Sequence, residues 1–479
     1  MQNLTIYTGH GPIIGGDAKF IIDLVNDLDP EKYRITFLTD RSATFAKRLE
    51  QWGKPGIAVQ YLDTAPSVDS SEQIYELYRH LEVKERRSAF ESLIFKILDL
   101  SYGHRKFYQF LQFICAILSL RPLRVKIINL HLFWRFFRKN HRNIDIFHVN
   151  NGGYPGKEAC LIAIIVAGLF RIDRIVLSIH NIPGPCRWYR PSDRLYDFCV
   201  SRFCDVVIPI CEAIRSALLA QRRLDPSKMC STRVTIGLRD QLPLPLAARA
   251  LLRRELGLAD ETVAILVCGN LDEERKGHEP LLRALHNIRQ SGLPFVLLVA
   301  GSGGARRILY LKQLVSSLDL ADHVQFLGYR ADTHELNCAA DIVTVPSIGV
   351  EGIPFTILEA CRAGACLITT TAGGCAEPID HDESGFVVKL ADIESLAAML
   401  YKLISNRSLR ETSGHAARKK FLAHYLWALQ VKKIDEIFIG SPKYELNRLI
   451  PQPEVLSCSS NFRSDSGKGN YYRGSGRQS

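Results

Sequence analysis

Short apolar runs alternate along most of this chain with longer stretches whose apolar positions recur at helical spacing. Residues 4–8 form the first run. A loop over residues 9–16 with four glycines and a proline follows, and then Asp17 stands ahead of Phe20, Ile21, Leu24 and Leu28, which share one helical face. Strand-like runs recur at 34–39, 57–62, 144–149, 174–179 and 205–210, with a helical stretch between the first two and apolar helices between the later ones. A second series begins at 262–268, continues with a helix over about 280–290, and adds strands at 294–300, 324–327, 342–345, 366–370 and 385–388. Strands alternating with helices predict parallel sheets covered on both faces. The pattern therefore predicts two doubly wound, Rossmann-like α/β domains facing a cleft. The expected N-terminal domain spans 1–240, a linker 241–258 that opens on a proline-punctuated stretch, and the second domain 259–420. Residues 421–440 are expected as a helix crossing back to the first domain. Residues 441–479, rich in Ser, Gly, Asn and Arg, read as a disordered tail.

The 479 residues are long enough for two separate cores, and 47% hydrophobic with 23% charged residues excludes a wholly disordered or fibrous protein. The thirteen cysteines are scattered, contain no Cys-x-x-Cys pair, and include Cys115, Cys160, Cys268, Cys361 and Cys366 in apolar surroundings. Buried free thiols in a reducing compartment fit that placement better than a disulfide framework or a thiolate zinc site. The first nine residues lack the pattern of a secretory signal. No apolar stretch approaches the ~20 residues of a membrane-spanning helix. A cytoplasmic protein is the expectation, peripheral on a membrane for the following reason.

The 61 Lys and Arg against 50 Asp and Glu give a net charge of +11, which would suit a nucleic acid, an anionic membrane or a phosphate-bearing substrate. The excess is local. Residues 100–144 hold nine Lys or Arg and no acid, interleaved with Phe107, Phe110, Phe113, Trp134, Phe136 and Phe137. The tail from 441 adds six basic residues against three acids, which leaves the two α/β regions near neutral. Whole-chain basicity is thus no nucleic-acid signature, and no nucleic-acid-binding motif accompanies it. Residues 100–144, within a basic, aromatic insertion over about 65–144, suit an anionic membrane surface. The competing reading is a core-packing insertion with a solvated basic face.

The richest stretch for chemistry runs from Pro346 to Glu377. It contains Pro346-Ser347, Glu351-Gly352-Ile353-Pro354, Leu358-Glu359-Ala360, Ala363-Gly364, Gly373-Gly374 and Glu377. It reads as a strand end, a loop bearing a carboxylate, and a helix whose first turn holds Pro354. The amides of Gly352, Ile353 and Phe355 would then face out of a positive helix end suited to a diphosphate. Glu359 lies one to two turns further in. Asp27-Leu-Asp29 and Asp380-His-Asp382 do not follow strands, so neither reads as a metal site.

This string resembles the nucleotide-sugar motif of retaining glycosyltransferases of the GT-B fold, in particular glycosyltransferase family 4. Further resemblances are Gly269-Asn270-Leu271 followed by Arg275-Lys276-Gly277, Val299-Ala-Gly301-Ser-Gly303, Phe326-Leu-Gly328-Tyr329-Arg330, and Ala339-Ala340-Asp341. In the N-terminal half they are Gly15-Gly16, Ser178-Ile-His180-Asn181, and 205–213, where Cys211 stands in place of the usual serine. The resemblance covers roughly 4–30 and 145–440, while 65–140 match nothing familiar.

The resemblance implies a hexose moved from a nucleotide-diphosphate sugar to a lipid-linked or glycan acceptor, with retention and without a metal or other cofactor, in polysaccharide or glycolipid synthesis. Lys276, with Arg275 compensating for the family arginine absent at Asn270, would grip the diphosphate. Glu351 would hold the transferring sugar, Glu359 the ribose, and His180 would contact the sugar or share proton traffic. Gly15, Gly16, Gly352, Ile353, Pro354 and Phe355 would approach the diphosphate, and Tyr329 and Arg330 the base. His148, in a similar strand-end position, reads as structural. A sugar-nucleotide epimerase or phosphorylase on a similar fold, or a degenerate non-catalytic nucleotide-binding subunit, are the alternatives.

Overall fold

The computed structural model of the protein describes residues 1–8, 16–40, 57–62, 120–187 and 191–440. The expected helical stretch between 39 and 57, Gly15, Cys115, the insertion up to 119 and the tail from 441 lie outside the described residues.

The apolar runs form the strands of two sheets. The first contains β1 (Gln2–Thr8), β2 (Tyr33–Asp40), β3 (Ala58–Leu62), β4 (Ile146–Asn151), β5 (Arg174–Ile179) and β6 (Val206–Pro209). Its order is β3-β2-β1-β4-β5-β6, all parallel. Helices α1 (Gly16–Asp27), α2 (Leu120–Asn140), α3 (Glu158–Leu169), α4 (Pro191–Phe203) and α5 (Glu212–Gln221) accompany it. The second sheet holds β7 (Val263–Cys268), β8 (Phe295–Ala300), β9 (Val324–Gly328), β10 (Ile342–Val345), β11 (Cys366–Thr370) and β12 (Phe386–Val388). Its order, β12-β11-β10-β7-β8-β9, is also parallel throughout. Its helices are α6 (Leu246–Glu255), α7 (His278–Ile288), α8 (Ala305–Ser317), α9 (Thr333–Ala339), α10 (Phe355–Ala363), α11 (Ile393–Ser405) and α12 (Arg407–His424). The expected α/β architecture of two Rossmann-like domains is what the chain forms. Every residue of β4, β10 and β11 is buried, as helices on both faces of a parallel sheet require.

In each sheet the strand order reverses once, between β1 and β4 in the first and between β7 and β10 in the second. A crevice opens beyond the strand ends at such a switch point, and ligands of this fold class bind there. The loops after β7 and β10 carry most of the candidate site, with Gly16 at the start of α1 and His180 after β5.

Residues 246–255, expected within the linker, instead form α6. Its Arg249 and Arg253 each donate to Asp341, just ahead of β10, at 2.8 Å, and Arg253 is buried, so this stretch packs as part of the second domain. The last helix, α13 (Trp427–Ile439), packs on the first domain. Trp427 Nε1 donates to Asp27 at 2.8 Å, and Tyr33 Oη donates to Asp435 at 2.6 Å. Asp27 is therefore spent on this packing.

The basic, aromatic segment divides in two within α2. Phe133, Phe136 and Phe137 are core residues, with Phe133 edge-on to Tyr7 at 5.0 Å and Phe137 edge-on to Phe147 at 5.0 Å. The expectation that Phe136 and Phe137 belong to an exposed patch is thus corrected: the sheet needs them as its cover. Ile127, Leu130 and Trp134 line an exposed flank beside it, where the Trp134 ring meets Phe170 edge-on at 4.9 Å. The described cysteines are free, and Cys160, Cys361 and Cys366 are buried as expected, while Cys268 is half-buried.

Two buried histidines make stability depend on pH. His148 on β4 is pushed down to about 3, first by burial and then by His180. His278, which opens α7, is pushed down to about 4 by burial and by Arg307 and Lys276. Both of its ring nitrogens lack a hydrogen bond among the described residues, and its neighbours include Val267, Leu281, Leu297 and Phe326. Unfolding returns each imidazole to an ordinary value of 6.5, so the unfolded chain binds more protons below that pH. Stability is therefore fully present above pH 6.5 and is lost as the pH falls toward 4 and then 3. Each group contributes up to roughly 1.4 kcal/mol per pH unit in that window. Thermal melts from pH 7.5 to 4 should show the decline, and His278→Leu should flatten it. An unchanged acid slope in that variant would show that His278 is not the buried neutral group described.

Candidate active site

On the second domain, two loops are joined by their backbones before any side chain is considered. Ile348 N donates to Arg275 O at 2.7 Å, tying the β10–α10 loop to the turn after β7. Gly277, at φ +76°, ends that turn, and a Cβ there would stand 1.8 Å from Pro346 O, so only glycine lets the loops meet.

That junction brings three charged groups together. Lys276 Nζ donates to Glu351 Oε1 at 2.7 Å, and the Arg275 guanidinium pairs with the same oxygen. Ser347 Oγ lies 3.5 Å from it. Arg275 also donates to Glu273 at 2.5 Å and to Val350 O at 3.3 Å. Glu351 is buried, whereas both cations are partly open to solvent. Glu359, one turn into α10, is half-buried and accepts no hydrogen bond among the described residues.

Pro354 differs slightly from expectation. Its ψ of 135° is extended, so it is the N-cap of α10 rather than part of the first turn, and Phe355 opens the helix. Gly352 and Ile353 precede it in a buried loop. A Cβ on Gly352 would lie 2.4 Å from His180 O, which makes this the closest described approach between the loop and the first domain's strand ends.

Across the cleft, Gly16 begins α1, and a Cβ there would meet the Phe355 ring at 2.8 Å. Lys19 Nζ lies 5.1 Å from the centre of that ring. The N-termini of α1 and α10 therefore face one another, and both present partial positive charge. His180 follows β5 and is nearly buried. Its Nε2 bonds Asn150 Oδ1 at 2.7 Å, while Asn150 Nδ2 donates to Asp17 O at 3.2 Å. Ser178 Oγ bonds the same Asn150 oxygen at 3.1 Å and His148 Nε2 at 3.0 Å. An oxygen acceptor at Asn150 places a proton on His180 Nε2. His148, as expected, is structural.

The structure thus gathers Arg275, Lys276, Glu351, Gly352, Phe355, Gly16 and His180 in one cleft. Ile353, Pro354 and Glu359 lie in the same loop and helix, while Asn270, Tyr329 and Arg330 stand apart. Asn270 Oδ1 accepts from Asp272 N at 3.0 Å and so serves its own turn. Tyr329, 76% exposed, and Arg330, paired with Asp332 at 2.7 Å, follow β9 at the sheet edge, beyond β7 and β8 from β10. Sequence reasoning missed Asn150, near the end of β4 beside β1, and quoted Ser178, near the end of β5, without giving it a role. It also missed the use of Glu377, which accepts from Glu212 N at 2.9 Å, Ala213 N at 2.7 Å and Arg233 at 2.7 Å. One carboxylate of the second domain thereby caps α5 of the first. No spacing announces such a pairing. Arg222, buried with Asp193 and Asp197, braces the loop after β5 by donating to Gly184 O. Among the described residues, no three His, Cys, Asp or Glu side chains converge as a metal centre would need.

Residues 248–420 match the family model described as glycosyl transferases group 1. The fold is that of solved GT-B glycosyltransferases. An Anabaena protein, HepE, solved in complex with UDP, superposes with a TM-score of 0.67 over 92% of this chain and 100% of its own, at 18% identity. A glycosyltransferase from Rickettsia africae gives 0.68 over 92% and 98%, at 16% identity. Among curated relatives, a GDP-mannose-dependent alpha-(1-6)-phosphatidylinositol monomannoside mannosyltransferase of Mycobacterium tuberculosis is 30% identical over 203 residues, which is 40% of this chain and 51% of that one. A GDP-mannose-dependent mannosyltransferase of Corynebacterium glutamicum, acting on the monoacylated form, is 29% identical over 199 residues, again 40% and 51%. The chain spans about half the length of these curated relatives.

Gly352→Ala should force the loop away from His180 and lower stability by about 1–3 kcal/mol. Denaturant unfolding measures the loss, and solution scattering should show a wider cleft. Gly153→Ala, where a methyl group meets nothing within 4 Å, is the matched control and should change neither.

Proposed function

We propose that this protein is a retaining glycosyltransferase of the family 4 type. It moves a hexose from a nucleotide-diphosphate sugar to a lipid-linked or glycan acceptor in polysaccharide or glycolipid synthesis, without a metal. The observation that carries the reading is the convergence of Lys276, Arg275 and the start of α10 on one cleft facing His180. Breaking the anomeric C–O bond moves negative charge onto the departing diphosphate, and stabilising that charge is the main electrostatic task. Two cations and a helix N-terminus supply positive charge for it. Glu351 and Glu359 hold hydroxyls of the sugar and the ribose. The departing diphosphate takes the acceptor's proton at the face where the new bond forms. The match of 248–420 to the glycosyl transferase model and the GDP-mannose dependence of the two mannosyltransferase relatives support the same chemistry.

Turnover of UDP-, GDP- and ADP-sugars with a membrane lipid extract as acceptor tests the proposal. Lys276→Ala should cut transfer by a factor of about 100 or more while the protein stays folded. Normal turnover in that variant would overturn the mechanism. Release of epimerised donor with no acceptor present would replace transfer with epimerisation.

The acceptor side works at an anionic membrane surface, on the cytoplasmic face. Support comes from α2, where Ile127 (56% exposed), Leu130 (43%) and Trp134 (45%) line the open face, with Arg135, Arg138 and Lys139 also exposed. A helix of this kind seats apolar residues among headgroups, and each basic residue adds about 1 kcal/mol near anionic lipid. No helix among the described residues is long and apolar enough to cross a membrane. The protein should float with phosphatidylserine-containing vesicles, and Arg135→Gln/Arg138→Gln/Lys139→Gln should weaken that binding markedly. Equal flotation of both proteins would return α2 to a purely structural role.

A further inference from the structure

The cations assigned to the diphosphate already have an anion. Glu351 Oε1 takes Lys276 Nζ at 2.7 Å and also the Arg275 guanidinium. The carboxylate is 8% exposed, while Lys276 and Arg275 are 21% and 37% exposed, so the cations face the cleft and Glu351 lies behind them. Backbone contacts fix this arrangement from both sides. Ile348 N bonds Arg275 O at 2.7 Å, and Gly374 N bonds Glu351 O at 3.3 Å. An incoming anion can change the side-chain pairing without moving either loop.

We propose that Glu351 stands in for the diphosphate between Lys276 and Arg275 until the donor arrives, and that this exchange makes the site favour a nucleotide sugar over the spent nucleoside diphosphate. The proposal rests on the donor-site reading above. The physical reason is a difference in what each ligand returns to Glu351. A diphosphate that draws Lys276 and Arg275 to itself leaves a nearly buried carboxylate short of partners, which is costly. The hexose of an intact donor brings hydroxyl groups that donate to that carboxylate. The bare nucleoside diphosphate brings none. It also carries one more negative charge than the donor once the proton taken from the acceptor has passed to solvent, because a terminal phosphate loses its second proton below neutral pH. Glu351 repels that charge and competes with it for the same two cations, so the group that accepts the sugar's hydroxyls also promotes product release.

Glu351→Gln separates these effects, because it keeps the shape and removes the charge. Calorimetric titrations of the wild type, Glu351→Gln and Lys276→Ala with UDP, GDP and the matching UDP- and GDP-hexoses test the proposal. In Glu351→Gln the bare nucleoside diphosphate should bind roughly three- to tenfold tighter, with a steeper salt dependence. The nucleotide sugar should gain less or bind more weakly, so its advantage over the bare nucleotide shrinks or reverses. If a folded Glu351→Gln protein binds the bare nucleotide no tighter than wild type, Glu351 is a positioning partner for Lys276 and the proposal falls. If the wild type binds neither nucleotide, or Lys276→Ala leaves binding unchanged, the donor-site reading itself fails and the proposal with it.

Discussion

The cleft exists because the chain pairs with itself where it crosses between domains. Leu238 N donates to Tyr425 O at 3.0 Å, and Trp427 N donates back to Leu238 O at 2.9 Å. This short parallel bridge joins the exit from the first domain to the return from the second. Trp427 then packs edge-on to Phe20 at 5.4 Å, and Phe20 in turn packs against the His180 ring at 4.7 Å. A crossover point is thus connected by direct ring contacts to a residue of the candidate site. The core reflects the same continuity. One buried cluster runs from Leu4 and Phe20 through Ile353 and Leu358 to Trp427 and Phe438, whereas the outer face of the second sheet has a separate cluster. The two domains share apolar surface at the crossover, and the polar chemistry lies at the strand ends.

Within the cleft, backbone and side chains divide the work. Close backbone approach at Gly277 and Gly352 sets where the loops run, and neither position has room for a Cβ. Side-chain charge then does what the backbone cannot. Glu377 satisfies the orphan amides at the start of α5, Asn150 places a proton on His180 Nε2, and Glu351 neutralises two neighbouring cations. The start of α1 carries Asp17 in its first turn, and at the start of α10 the Phe355 ring meets Gly16 and Lys19.

The strands were legible because burial on both sheet faces demands unbroken apolar runs, and a run such as residues 263–268 has no other good use. The motif loops were legible for a different reason: glycine and proline mark the points where the backbone turns. What escaped were pairings made only after folding. Nothing in the spacing of Arg275, Lys276 and Glu351 says that they meet, since 75 residues separate Lys276 from its partner. Helix α6 escaped because Pro243 and Pro245 suggested a linker, yet a proline just before a helix is compatible with its start, and Pro245 is the N-cap. Asn270 could be read only as the absence of an arginine; its actual use, an Asx turn with Asp272, is local.

Helix α2 shows how one composition can answer two demands. A doubly covered sheet needs apolar cover, and α2 supplies it with residues at helical spacing, Phe133, Phe136 and Phe137, which meet Tyr7, Phe147 and Phe170. Beyond that face the helix makes fewer contacts: Lys126 pairs with Glu158 at 3.1 Å, and the Trp134 ring meets Phe170 edge-on at 4.9 Å. A purely solvated face would then carry polar residues, as the outer faces of helices in water usually do. Instead Ile127, Leu130 and Trp134 recur there at intervals of three and four, beside exposed Arg135, Arg138 and Lys139. Core packing explains the buried half and the contact of Trp134 with Phe170, and leaves the exposed area of Ile127 and Leu130 unexplained. A surface that pairs apolar residues with positive charge gains most from a partner offering hydrocarbon and negative charge together, and an anionic bilayer offers both.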